Sequence, residues 1–171
     1  MVDDLVDPRR SEPEFILTER AMLESWLEFH RATLELKTEG LSESLRKSRP
    51  VSTSKLSLHG LVRHMAEVER NWFRRVLAGE DIGPIWADPA VEDSELMPLD
   101  DADWETDLSV WKAECQASRD IAAEKDLEDT GMRRRGPCSL RWMYVHMIEE
   151  YARHNGHADL IRELLDGSVG W

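Results

Sequence analysis

Apolar residues recur at three- and four-residue intervals in four long segments of this chain, the pattern of helices that bury one face. The first segment covers about Thr18–Glu39, with Thr18 as N-cap and Gly40 as stop signal. The second covers about Lys55–Ala78, preceded by the cap candidates Ser52, Thr53 and Ser54 and closed by Gly79. The third covers about Asp101–Lys125, and the fourth about Ser139–Asp166, with Ser139 as N-cap and Gly167 as stop. No stretch sustains a two-residue alternation, so no strands are expected. The Gly- and Pro-containing stretch Glu80–Asp100 predicts a long loop between the second and third helices, a crossover or a lid. Four amphipathic helices in 171 residues predict an all-α fold, a four-helix bundle forming a single domain over 1–171.

Charge narrows the range of partners. The net charge of −13 would repel a phosphate backbone, which argues against nucleic acid. Apolar runs are only a few residues long, too short for a membrane span, and "MVDDLVDPRR" lacks the basic start and apolar centre of a secretory signal. A cytoplasmic location is expected, with Cys115 and Cys138 reduced. Between Val76 and Trp111 there is no Lys or Arg but there are eleven Asp and Glu, which reads as a solvated acidic surface loop. It has no EF-hand spacing for calcium.

Several polar residues fall where hydrocarbon should be buried. With Leu140 at zero on a helical wheel, Met143, Tyr144, Met147, Ile148, Tyr151, Ala158, Ile161 and Leu165 lie within an arc from about −60° to +80°. His154 falls inside that arc and Glu150 on its edge, whereas His146 and His157 lie further round. Glu150 and His154, four apart, stack on one face, and a buried carboxylate needs a partner. The spacing suits a hydrogen-bonded pair or a shared metal ion, and by itself leaves both open. On the second helix the stripe runs through Leu58, Leu61, Val62, Met65, Val68, Trp72 and Val76. His59 and His64 flank it on opposite sides, and periodicity does not choose between them. Glu69 falls on the stripe, as an orienting partner for an imidazole or in a salt bridge to an arginine such as Arg153 or Arg162.

"LSLHGLVRHMAEVERNWFRRVLAGE" and "LRWMYVHMIEEYARHNGHADLIRELLDG", with "WLEFHRATLELKTEGLSE" before them, resemble the DinB-like superfamily of helical-bundle metalloproteins. The resemblance covers about 17–167, and its nearest branch is the one related to mycothiol-dependent enzymes. It implies one divalent metal, with a histidine ligand in the second helix matching His64 and a last-helix pair matching Glu150 and His154. Many members have histidine where Glu150 stands; the mycothiol-dependent isomerase branch has glutamate. His59, His146 and His157 match no ligand position. Three protein ligands would leave a coordination position open. Nitrogen and oxygen donors without thiolate suit zinc or nickel, and iron or manganese also fit.

The function this implies is a metal-dependent thiol transferase acting on a small-molecule thiol such as mycothiol or bacillithiol and an electrophile, as a monomer or homodimer. The isomerase of this branch carries an added C-terminal domain, which makes thiol transfer the expected chemistry. The alternatives are a non-catalytic metal-binding stress-response protein, whose ion is closed off by His146 or His157, and a metal-dependent hydrolase. Arg133, Arg134 and Arg135, just before the last helix, are suited to hold an anionic group of the thiol or to form a solvent-facing turn. Trp72 and Trp142 lie within one or two helical turns of the implied site, as pocket lining or as packing.

Overall fold

The computed structural model describes residues 7–169 except 89, 92 and 98. The hexapeptide "MVDDLV", on which part of the leader-peptide reading rests, and the terminal Trp171 lie outside the described residues.

The fold is mostly helical. Helix α1 spans Glu19–Thr38, and the Thr18 side chain accepts the Ala21 N–H. A short helix, α2 (Glu43–Lys47), follows, capped by Ser42. Helix α3 spans Leu58–Glu69 and continues without a break as a π-helical segment, Arg70–Leu77. A 3₁₀ turn, Ser94–Leu96, sits in the long loop. Helix α4 spans Trp104–Ala123, with Asp103 as N-cap. Strands β1 (Thr130–Arg133) and β2 (Gly136–Ser139) form an antiparallel hairpin that leads into α5, Leu140–Asp166. Ser139 caps the start of α5, and Gly167, at φ 77°, ends it in the left-handed conformation that glycine adopts without strain. No described helix is long and apolar enough to cross a membrane.

The long helices pack chiefly as α1 on α5 and α3 on α4, with α3 also touching α5 and α1. Leu27 and Leu34 of α1, Leu61 and Met65 of α3, Trp111 of α4, and Met143 and Met147 of α5 are buried in one core. Each such side chain contributes roughly 1.5–3 kcal/mol of burial free energy.

Four expectations are corrected here. The N-cap of α3 is Ser57, whose hydroxyl accepts the Gly60 N–H, rather than Ser52, Thr53 or Ser54. Ser57 is fully buried, so packing rather than the local hydroxyl run sets the start. Beyond Glu69 the π-helical hydrogen bonds, such as Ala78 N–H to the Phe73 carbonyl, widen the turn. Phe73 and Leu77 are therefore buried, while Val76 is only partly so. A hairpin exists where no strand was expected, because four-residue strands are too short to show alternation. It lies flush on the π-helical segment: a Cβ on Gly131 would fall 2.3 Å from the Val76 carbonyl oxygen, so only glycine fits.

The fourth correction concerns Glu69, which meets neither an imidazole nor Arg153 or Arg162. Fully buried, it takes both prongs of the Arg31 guanidinium, Nε to Oε1 at 2.8 Å and Nη2 to Oε2 at 2.7 Å. Tyr151 donates its hydroxyl to Glu69 Oε1 at 2.8 Å, and Trp111 donates to the Tyr151 oxygen at 2.9 Å. Arg153 instead pairs with Glu149, and Arg162 with Asp166. Cys115 joins the buried network as an inert thiol, its pKa pushed up by burial and then by the Glu69 carboxylate.

Candidate metal centre

Helix α3 separates its two histidines by face. His59 is fully buried towards α4, its Nε2 2.8 Å from Asp107 Oδ2 and its ring edge-on to Trp104 at 5.3 Å. Burial holds its pKa below the usual histidine range. His64 lies on the other side of the stripe and faces α5, its ring 4.7 Å from that of His154.

The acidic loop covers the His64 side of α3, and it is not simply a solvated surface. The Glu67 carboxylate accepts the backbone N–H groups of Ile85, Trp86 and Ala87 at 2.8, 2.6 and 2.8 Å. Glu95 of the 3₁₀ turn is buried and places Oε1 2.8 Å from His64 Nδ1. At Gly60 the loop comes so near that a Cβ would lie 3.2 Å from the Leu96 carbonyl oxygen. Gly60, His64 and Glu67 share one face of α3 by their spacing, so three contacts hold the loop along it. Sequence reading missed Glu95: its partner lies 31 positions away, and a loop has no periodicity to reveal an inward side chain.

On α5 the residues Trp142, His146, Glu150 and His154 recur every fourth position and form a ladder. Glu150 stands between two imidazoles, Oε1 3.4 Å from His146 Nε2 and Oε2 3.5 Å from His154 Nε2. His154 Nδ1 lies 3.4 Å from His157 Nδ1. The His154 pKa is depressed to about 3, first by burial and then by the neighbouring His64, His157 and Arg153. The imidazole is thus uncharged at neutral pH and keeps a lone pair for a cation.

One donor atom each of His64, Glu150 and His154 lies within 4.8 Å of the others, and all three residues are partly buried. His146, Glu149 and Glu150 form a second group by the same measure and share Glu150 with the first. His157 lies outside both groups, near His154. The His146 ring stacks on Trp142 at 5.0 Å and meets Trp72 edge-on at 4.7 Å. Arg133 covers Trp72 and Trp142 on the hairpin side, with Arg134 and Arg135 exposed at the hairpin turn.

The donor set fits a divalent ion. Metal bonds of about 2.0–2.2 Å need donors roughly 3–3.5 Å apart, which small side-chain rotations reach from a 4.8 Å cluster. Two imidazoles and one carboxylate supply nitrogen and oxygen donors and a single negative charge.

A family model described as mycothiol-S-transferase matches residues 22–167, most of the chain. The chain belongs to that family, a branch of the DinB-like proteins related to mycothiol-dependent enzymes. None of the curated proteins matches it.

Proposed function

We propose that this member of the mycothiol-S-transferase family is a divalent-metal-dependent thiol transferase, built as a single-domain DinB-like four-helix bundle and working in the cytoplasm. His64, Glu150 and His154 would hold one ion. Zinc suits these donors, and so do nickel, iron and manganese. The observation that carries the reading is the convergence of the three donors within 4.8 Å from two helices, with no protein cation among them. When bound, the ion supplies Lewis acidity that lets a low-molecular-weight thiol ionise near neutral pH.

The chain's own residues prepare that chemistry. Glu95 would accept a hydrogen bond from His64 Nδ1–H, which would leave the Nε2 lone pair for the ion. The uncharged His154 presents a lone pair without first losing a proton. Glu150 brings the only carboxylate of the set and offsets part of the ion's charge. Trp72 and Trp142 wall the approach along α5 beside His146.

The test begins with protein purified without chelator or metal-affinity resin. Elemental analysis is expected to show about one divalent ion per chain, lost in His154→Ala and kept in His146→Ala. The reverse pattern would move the ion to the His146, Glu149 and Glu150 group. The loaded protein is then assayed with mycothiol, bacillithiol and glutathione against common electrophiles. No turnover with any of them, together with ester or amide hydrolysis, would replace transfer with hydrolysis.

A further inference from the structure

Most arginines of this acidic chain are held by carboxylates, including Arg20, Arg31, Arg70, Arg74, Arg119 and Arg141. The arginines around the hairpin are different. Among the described residues, Arg75 meets only the Asn71 amide, at 3.5 Å, and Arg133 only the Trp72 and Trp142 rings, at 4.7 and 5.0 Å. Neither they nor Arg134 forms an ion pair among the described residues. Arg75, Arg133 and Arg134 line a cleft of about 430 Å³ between hairpin and π-helical segment, with Trp72 in its wall. Two carboxylates also line it, Glu80, which Arg74 already holds, and Asp81.

A guanidinium stacked on two rings is fixed in orientation, yet its N–H groups, which lie in its own plane, remain free to donate. Beside it, Trp142 is 42% exposed although it is a large aromatic residue. Trp142 and His146 are nearly parallel, 19° apart, and the ladder continues to Glu150. Glu150 lies eight helical positions beyond Trp142, about 12 Å along the axis. The cleft thus offers a fixed cation, and from its edge the stacked Trp142–His146 pair leads along α5 towards the proposed metal centre.

We propose that this cleft binds the acid group of the electrophilic substrate, a carboxylate-bearing molecule that extends from Arg133 past the edges of Trp142 and His146 towards Glu150. Anion binding follows from the unpaired guanidiniums alone. Assigning the anion to the electrophile rests on the transferase reading with mycothiol, which has no carboxylate to place there; bacillithiol and glutathione have one, and the thiol KM separates the two sources.

The test uses metal-free full-length protein, so binding is read independently of turnover. Calorimetric titration with 2-naphthoate is expected to give saturable binding that weakens with salt, and 2-naphthamide is expected not to bind. Arg133→Gln is expected to weaken naphthoate binding about tenfold, and Arg134→Gln by less, both with an unchanged circular dichroism spectrum. Arg119→Gln, in the groove between α1 and α4, is expected to change nothing. Equal binding of acid and amide, or indifference to both hairpin variants, would overturn the site. With metal and thiol present, Arg133→Gln is expected to raise KM for a carboxylate electrophile but not for its methyl ester, and to leave the thiol KM unchanged. A raised thiol KM instead would overturn the assignment to the electrophile. Arg133-dependent naphthoate binding without turnover by any thiol would remove the transferase reading and leave the anion site standing.

Discussion

Two of the polar clusters among the long helices are finished differently. In the Arg31–Glu69–Tyr151–Trp111 cluster a cation meets an anion through both prongs at 2.8 and 2.7 Å, and the hydroxyl and indole complete the remaining bonds. In the His64–Glu150–His154 cluster the groups approach each other but do not close. Glu150 is 3.5 Å from His154, and the rings of His64 and His154 meet edge-on at 4.7 Å. Burying a carboxylate is costly unless a positive charge or hydrogen bonds offset it. The first cluster contains its own cation and holds helices together. The second contains donors only, and a cation from outside would complete it. A satisfied network thus points to stability, and an unfinished one to a ligand.

The contrast predicts its largest effect at Glu69. Glu69→Ala leaves the buried Arg31 guanidinium only the half-exposed Glu28 carboxylate, 2.6 Å from Nη1, as an ion-pair partner among the described residues, which costs up to about 3–5 kcal/mol. Chemical denaturation is expected to show that loss, with metal stoichiometry unchanged in the protein that remains folded. Changing Arg31 and Glu69 together to Met is expected to recover most of it. If the double variant were as unstable as the single one, the cluster would be doing more than neutralising a charge.

The proposed metal cluster is expected to respond the opposite way. Zinc at about a hundred times its dissociation constant would stabilise the wild type by about 2.7 kcal/mol. His154→Ala is expected to lose that increment while the metal-free protein stays folded. Thermal melts with and without zinc check both statements. A variant that gained stability from zinc as the wild type does would remove His154 from the ligand set.

The helices were legible in the sequence because their signals are local. Thr18 and Ser139 cap, Gly167 stops, and the 3.6-residue period put Glu150 and His154 on the buried side. What stayed illegible depends on neighbours distant in sequence. The choice between His59 and His64 requires knowing that α4 lies on one side of α3 and α5 on the other. Periodicity left it open, and the resemblance chose His64. The partner of Glu69 sits 38 positions away on α1. The π-helical segment arises from a one-residue slip in backbone bonding that no side-chain period records.

The two clusters also separate by pH. His154 titrates at about 3 in the folded chain against an ordinary value of 6.5. Between those values the unfolded chain binds more protons than the folded one, so stability rises with pH across that window and is lost as pH falls. The loss in the metal-free protein is on the order of a few kcal/mol by the lower end. Denaturation midpoints followed from pH 7 to pH 3 are expected to fall less steeply in His154→Gln. An unchanged slope would assign the acid sensitivity to other groups.

The smallest effect, and the finest test of the contrast, is expected at Glu95. It meets His64 at 2.8 Å from a loop also held by Glu67, so removing its charge leaves the loop anchored. Glu95→Gln retains the size of the side chain and an oxygen able to accept from Nδ1, but loses the charge that strengthens the bond and makes the imidazole more basic. Zinc affinity, measured by competition with a chromophoric chelator, is expected to fall about 10- to 100-fold. Stability of the metal-free protein is expected to change by less than about 0.5 kcal/mol, as for a substitution that leaves packing intact. Nitrogen-detected NMR of the imidazole separates the two roles open to Glu95. If it acts through His64, the wild type holds the proton on Nδ1 and the variant shows a mixture of tautomers. If the tautomer is the same in both proteins while affinity still falls, the carboxylate acts through its charge alone, and the orienting role assigned to it is wrong.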